Sequence, residues 1–140
     1  MTDAATIIET MNQRRPAILH TLNGAVIALD VEAGLCTMQF DIDLSLCHSG
    51  NIVQGGIVTA MLDAASSHAV FGQARDITAL ATLEIKTSFL EPSLAGRFTC
   101  EGRVRKMSYK LGFMDAELFD DAGKLTATAS TTVKILRSKD

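Results

Sequence analysis

"NIVQGGIVTAMLDAASSHAVFG", residues 51–72, decides the fold. From Ile57 to Phe71 the apolar residues do not keep to one stripe, because Ile57, Val58, Met61, Leu62, Ala65, Val70 and Phe71 are spread around the helical circumference. A helix that is apolar all round is a buried helix. In a chain of 140 residues the cover large enough for it is a sheet wrapped around it, helped by a second subunit. Two glycines, Gly55 and Gly56, stand directly before this helix, and one carboxylate, Asp63, sits within it. An ionised carboxylate is costly to bury without a partner, so Asp63 has either a structural partner or a chemical task.

The flanking sequence supplies the sheet. "GAVIALDVEAG" (24–34) and "LCTMQFDID" (35–43) are β-prone runs around a glycine-containing turn and read as a hairpin. "LSLCHSGNIVQGG" (44–56) reads as a loop of small and polar residues. After the helix, "ALATLEIKTSFLEP" (79–92) alternates Leu83, Ile85, Thr87 and Phe89 against Glu84, Lys86 and Ser88. "RFTCEGRVRKMS", "LGFMDAELFDDAG" and "KLTATASTTVKIL" keep a similar period of two, with Asp120–Gly123 as the turn between the last two strands. At the other end, "ATIIETMNQ" predicts a short leading helix up to Pro16, capped by Thr2 or Asp3. The plan is α+β, with one antiparallel sheet and one principal helix. It is expected to be a single domain over 1–140, divided into a leading helix (1–19) and a core (20–136).

Composition narrows the classes of function. The chain is 47% hydrophobic and 21% charged, which is globular and not disordered. Its apolar runs fall short of the roughly 20 residues that span a bilayer. The first residues carry acids early and the basic pair late, the wrong order for a secretory signal, so a cytoplasmic protein is expected. The 3 cysteines, Cys36, Cys47 and Cys100, lack metal-ligand spacing and are expected to be reduced thiols. A net charge of −3 without a basic cluster argues against phosphate-neutralising nucleic-acid binding.

Within the apolar helix, Thr59, Asp63, Ser66 and Ser67 share one narrow face and predict a polar seam. The alternative is an aspartate paired with a Lys or Arg from a strand. His68 is not a catalytic partner for Asp63, since five residues of helix turn it about 140° away. It reads as a satisfied interior or interface histidine. The Gly55-Gly56 pair is followed by neither a Walker lysine nor GxGxxG spacing, so it is not a phosphate loop. The chain also carries no GxSxG elbow and no zinc-ligand spacing.

Glycines ahead of a helix allow close approach to its first N–H groups, which have no internal acceptor and lie at the positive end of the helix dipole. Such donors suit a carbonyl oxygen that becomes an oxyanion. Asp63 would supply the complementary part, as nucleophile or as general base for water. Eight helical positions separate Gly55 from Asp63, about 12 Å, which is too far for one reacting carbon. Two antiparallel copies of the helix would bring Gly55 of one subunit near Asp63 of the other, predicting a homodimer with shared sites.

These residues resemble the hot-dog-fold acyl-CoA thioesterases, in particular the phenylacetic-acid-degradation type. "QGGIVTAMLD" (54–63) matches that family's glycine pair and the spacing to its helical acid, "TSFLEPSLAG" (87–96) its strand–proline–turn stretch, and "ELFDDAGKLTATAS" (117–130) its closing hairpin. The resemblance covers residues 20 to 136. It implies a strongly bent antiparallel sheet around the central helix and hydrolysis of an acyl-CoA, with no metal and no cofactor beyond the coenzyme A of the substrate. Dimers, often paired into tetramers, are also implied, with neither nucleic acid nor membrane as partner. By resemblance Asp63 is the catalytic carboxylate and the Gly55 N–H the carbonyl donor, followed by Gly56. Thr82 or Ser67 would be the hydroxyl that helps hold water. Gln54 stands where the family has histidine, and His48 where it commonly has a side-chain amide, with Asn51 close by in the loop as a substitute. Ile52, Val53, Met61 and Leu62 are expected to line the acyl pocket. Arg97, Arg103, Arg105, Lys106 and Lys110 are the cations available to coenzyme A phosphates. A non-catalytic acyl-CoA or small-ligand binder is the alternative. A dehydratase is disfavoured because it needs a histidine against the acid.

Overall fold

In the computed structural model of the protein, which describes residues 3–138, the chain begins with α1 (Ala4–Gln13). Asp3 caps it by accepting from the Thr6 N–H at 2.8 Å; Thr2 lies outside the described residues. Pro16 does not end the helical region. It opens a second short helix, α2 (Ala17–Thr21), where a missing N–H is tolerated because the first turn has no acceptor for it. The hairpin follows as β1 (Ala25–Asp30) and β2 (Leu35–Ile42). The stretch expected to be plain loop is folded upon itself. A 3₁₀ turn (Leu44–Leu46) leads into a small ladder between β3 (Cys47–His48) and β4 (Ile52–Val53), reversed at Ser49 (φ 46°) and Gly50 (φ 84°).

The central helix is α3 (Gly55–Phe71), followed by β5 (Ile77–Phe89), β6 (Gly96–Met107), β7 (Leu111–Asp120) and β8 (Leu125–Arg137). Six strands form one antiparallel sheet in the order β1-β2-β6-β7-β8-β5, with α3 packed against its inner face. This is the hot-dog arrangement that the resemblance implies. Met61, Leu62, Ala65 and Ala69 are fully buried against Met38, Phe40, Phe98, Cys100 and Leu118. Helix and sheet meet most closely at Gly102 of β6, where an added Cβ would collide with the Ala65 carbonyl and stand 2.7 Å from the Ser66 nitrogen. The reversal after β7 is the expected one: the Asp120 carboxylate accepts from the Ala122 and Lys124 N–H groups, and Gly123 takes φ 84°. All three cysteines are free. Burial pushes the Cys36 thiol up to about 12 and also raises Cys100, so both behave as packing groups.

The alternation of β5 does not translate into regular burial. Leu83 and Phe89, which share one phase of its pattern, are 60% and 57% exposed. A register shift between Thr82 and Glu84 bulges the strand and breaks its alternation at Leu83. Phe89 ends the strand at the rim of the sheet, beside the start of α3.

Candidate active site

The start of α3 leaves a distinctive set of donors. The Gln54 carbonyl accepts from Ile57 and Val58 at 2.9 and 3.1 Å, and its side-chain Oε1 also accepts from the Ile57 N–H at 3.2 Å. Gln54 is therefore the helix cap. Among the described residues the Gly55 and Gly56 N–H groups meet no acceptor. Gly56 makes the cap possible, because a Cβ there would stand 2.7 Å from Gln54 Oε1. Gly55 faces a cleft of about 320 Å³ with His48, Ile52, Val53, Val58 and Phe89 on its walls. The Phe89 ring lies 3.4 Å from where a Gly55 Cβ would be, so it forms the wall nearest the free N–H groups.

Asp63 lies further along the same helix and is half-buried. Thr82 of β5 donates to its Oδ1 at 3.3 Å. Burial raises its pKa above the ordinary carboxylate range, and the Thr82 hydroxyl works against that rise. Among the described residues no cation forms a salt bridge with Asp63, so the paired structural aspartate is not what the fold builds. One turn earlier, the Thr59 and Thr87 hydroxyls share a hydrogen bond of 2.9 Å and tie α3 to β5 on the same side. His68 donates from Nδ1 to the Ala64 carbonyl at 2.8 Å and packs edge-on against Phe71, the satisfied histidine expected.

The predicted residues thus fall into two groups. His48 and Gly55 share the cleft, with Gln54 and Gly56 beside it; Asp63 and Thr82 form the second group, and half-buried Ser67 lies one turn beyond Asp63. Helical rise separates Gly55 from Asp63 by about 12 Å within the chain. His48 is exposed and bonds through Nδ1 to the Ser49 hydroxyl at 3.0 Å. The Asn51 side chain is exposed, while its carbonyl accepts from Ala95 at 2.8 Å and secures the loop. Ser66 does not join an open seam, because it is turned fully into the core.

One further expectation is corrected. Ile52 and Val53 line the cleft, but Met61 and Leu62 are core residues without exposure, because their side of α3 faces the sheet. The five cations are not gathered near Gly55. Arg97 pairs with Asp41 at 2.8 Å, Arg105 pairs with Asp115 at 3.3 Å, and Arg103, Lys106 and Lys110 are exposed without lining the cleft. A separate concavity of about 450 Å³ holds Lys86, Arg103 and Arg105 beside Glu101, Asp115 and Glu117. It includes neither the glycines nor Asp63, and its mixed charges favour no single ionic ligand. Sequence reading missed Phe89 as a cleft wall and Thr59–Thr87 as a brace. The aromatic ahead of Pro92 and the threonine one turn before the acid were their only signals.

Residues 50–127 match the family model of the thioesterase superfamily. A proposed esterase of Saccharolobus solfataricus is 30% identical over 139 residues, spanning 99% of this chain and 97% of the relative. Among solved structures, a proposed thioesterase from Ralstonia eutropha JMP134, described as a phenylacetic acid degradation-related protein, superposes with a TM-score of 0.83 at 30% identity. It covers 91% of this chain and 98% of its own. The PaaI protein of the E. coli phenylacetic acid degradation operon shares the fold with a TM-score of 0.82 at 20% identity, covering 94% of this chain and 93% of its own.

Proposed function

The chain belongs to the thioesterase superfamily, and from that premise we propose that it hydrolyses the thioester of a small or medium acyl-CoA, aryl acyl groups included. One observation carries the reading. Among the described residues, a half-buried carboxylate with no cation partner sits on the same helix whose first two N–H groups are uncommitted. The Gly55 N–H, at the positive end of the α3 dipole, would polarise the thioester carbonyl. Asp63 of a second copy would attack the carbonyl carbon or take a proton from a water that does so. The developing negative charge rests on the carbonyl oxygen. When the carbonyl re-forms, the C–S bond breaks and the coenzyme A thiolate leaves; in the nucleophilic route water then cleaves the acyl–aspartate anhydride.

The second copy is part of the proposal. Among the described residues the outer edge of β5 carries no neighbour in the sheet, and Leu83 is exposed on that strand beside Thr82, the Asp63 partner. A twofold dimer joined there would set two α3 helices antiparallel and complete two sites; pairing of dimers would give a tetramer. The free thiols agree with a cytoplasmic setting, and among the described residues no helix is long and apolar enough to cross a membrane. The binder alternative draws on Gln54, which holds the cap and cannot titrate. Release of coenzyme A thiol from acyl-CoAs of graded length, with phenylacetyl and hydroxybenzoyl members, tests the reading. Asp63→Asn is expected to lower kcat by about 10²–10⁴-fold. Wild-type protein that binds these thioesters without releasing thiol would establish the binder.

A further inference from the structure

The geometry points to a split role for Gln54, in which Oε1 holds the start of α3 while Nε2 donates to the thioester carbonyl oxygen alongside the Gly55 N–H. This role rests on the thioesterase reading above. The assignment of the two amide atoms follows from the bond already made. The Ile57 N–H is a donor at 3.2 Å, so the oxygen must face it and the amide nitrogen must face away. Nε2 lies 3.7 Å from where a Gly56 Cβ would be, immediately beside the free N–H groups. Among the described residues nothing accepts from Nε2, just as nothing accepts from Gly55 or Gly56.

Three neighbouring positions thus present uncommitted donors, and the Gln54 Oε1 beside them is engaged with the Ile57 N–H. A cluster of that kind suits an oxygen that gains negative charge, with the Phe89 ring standing on the other side of Gly55. The cap itself gives the arrangement its precision. A free glutamine side chain samples several rotamers, whereas one anchored through Oε1 delivers its nitrogen pre-oriented. No proton is transferred to or from Gln54 in this role: its N–H bond strengthens a hydrogen bond as the carbonyl carbon becomes tetrahedral and releases it when the C–S bond breaks. An uncharged amide also works without a titration step.

Two replacements separate the donor from the cap. Gln54→Ser is a good helix cap with no amide to reach the carbonyl, and Gln54→Glu keeps the accepting oxygen in place while substituting an acceptor for the donor. With coenzyme A thiol release as the assay, both are expected to lower kcat by about 10²–10³-fold, as for loss of one oxyanion donor, with the melting temperature held. KM should change far less than kcat, since the bond matters most in the transition state. A serine variant that keeps kcat within about threefold of wild type, while as stable, would reduce Gln54 to a cap and overturn the inference while leaving the thioesterase reading intact. Wild-type protein without thiol release on any acyl-CoA would overturn both.

Discussion

At Asp63 two effects oppose each other, and burial prevails. Desolvation favours the neutral acid, the Thr82 hydroxyl favours the carboxylate, and the net result is a raised pKa. The folded protein therefore holds this proton to higher pH than the unfolded chain does. Ionising Asp63 costs stability; the cost is absent below the unfolded carboxylate pKa and complete once the pH passes the folded one. Asp63→Asn is accordingly expected to melt above wild type at pH 7, with the advantage shrinking as the pH is lowered through the acid range. Thermal unfolding at several pH values checks this, and a lower melting temperature at pH 7 would mean that the carboxylate has a stabilising charge partner. Gain of stability with loss of turnover is the signature of a strained functional group. The sequence already contained the essential contradiction, one acid in an apolar helix. It did not contain the Thr82 bond, which depends on how β5 meets α3.

Between elements, the decisive contact is α3 on β6. Gly102 brings strand backbone against the Ala65–Ser66 backbone, and both partners are main chain, so neither can rotate away. Gly102→Ala is expected to cost about 1–3 kcal/mol or more through overpacking, read as a lower denaturant midpoint with an unchanged slope. Periodicity located the four long strands after the helix because a half-buried strand must alternate its faces. It did not reveal the exposure of Leu83, because the bulge in β5 is set by pairing with β8, a long-range partner invisible to local pattern. The small ladder of β3 and β4 was missed for the same kind of reason, since two-residue strands carry no readable period. The second helical turn after Pro16 was legible in principle, because proline suits a helix start as well as a helix end.

At the scale of the whole molecule, the donors and the acid occupy one helix but cannot meet in one chain. A shared site makes a quantitative prediction. Gly55→Pro deletes the N–H at the one helical position where proline is favoured, and Gln54, at φ −60° and ψ 137°, already has the extended conformation that precedes proline. Alone, it and Asp63→Asn should each be nearly inactive. Co-expressed in equal amounts and mixed at random, half the dimers would pair the two variants and each would hold one intact site, restoring about a quarter of wild-type activity. Failure to recover activity from proven mixed dimers would argue for a site built within one subunit. The order of the principal helix and the six sheet strands and the burial of α3 were legible in the chain, because they follow from local periodicity; Asp63 stood out there as a candidate through the cost of burying charge. The cap made by Gln54, the hydroxyl held to Asp63, the exposure of Leu83 and the retreat of Met61 and Leu62 into the core were decided only by folding. Each depends on which distant backbone lies opposite, and that is a property of the packed sheet and helix together, not of any stretch of sequence.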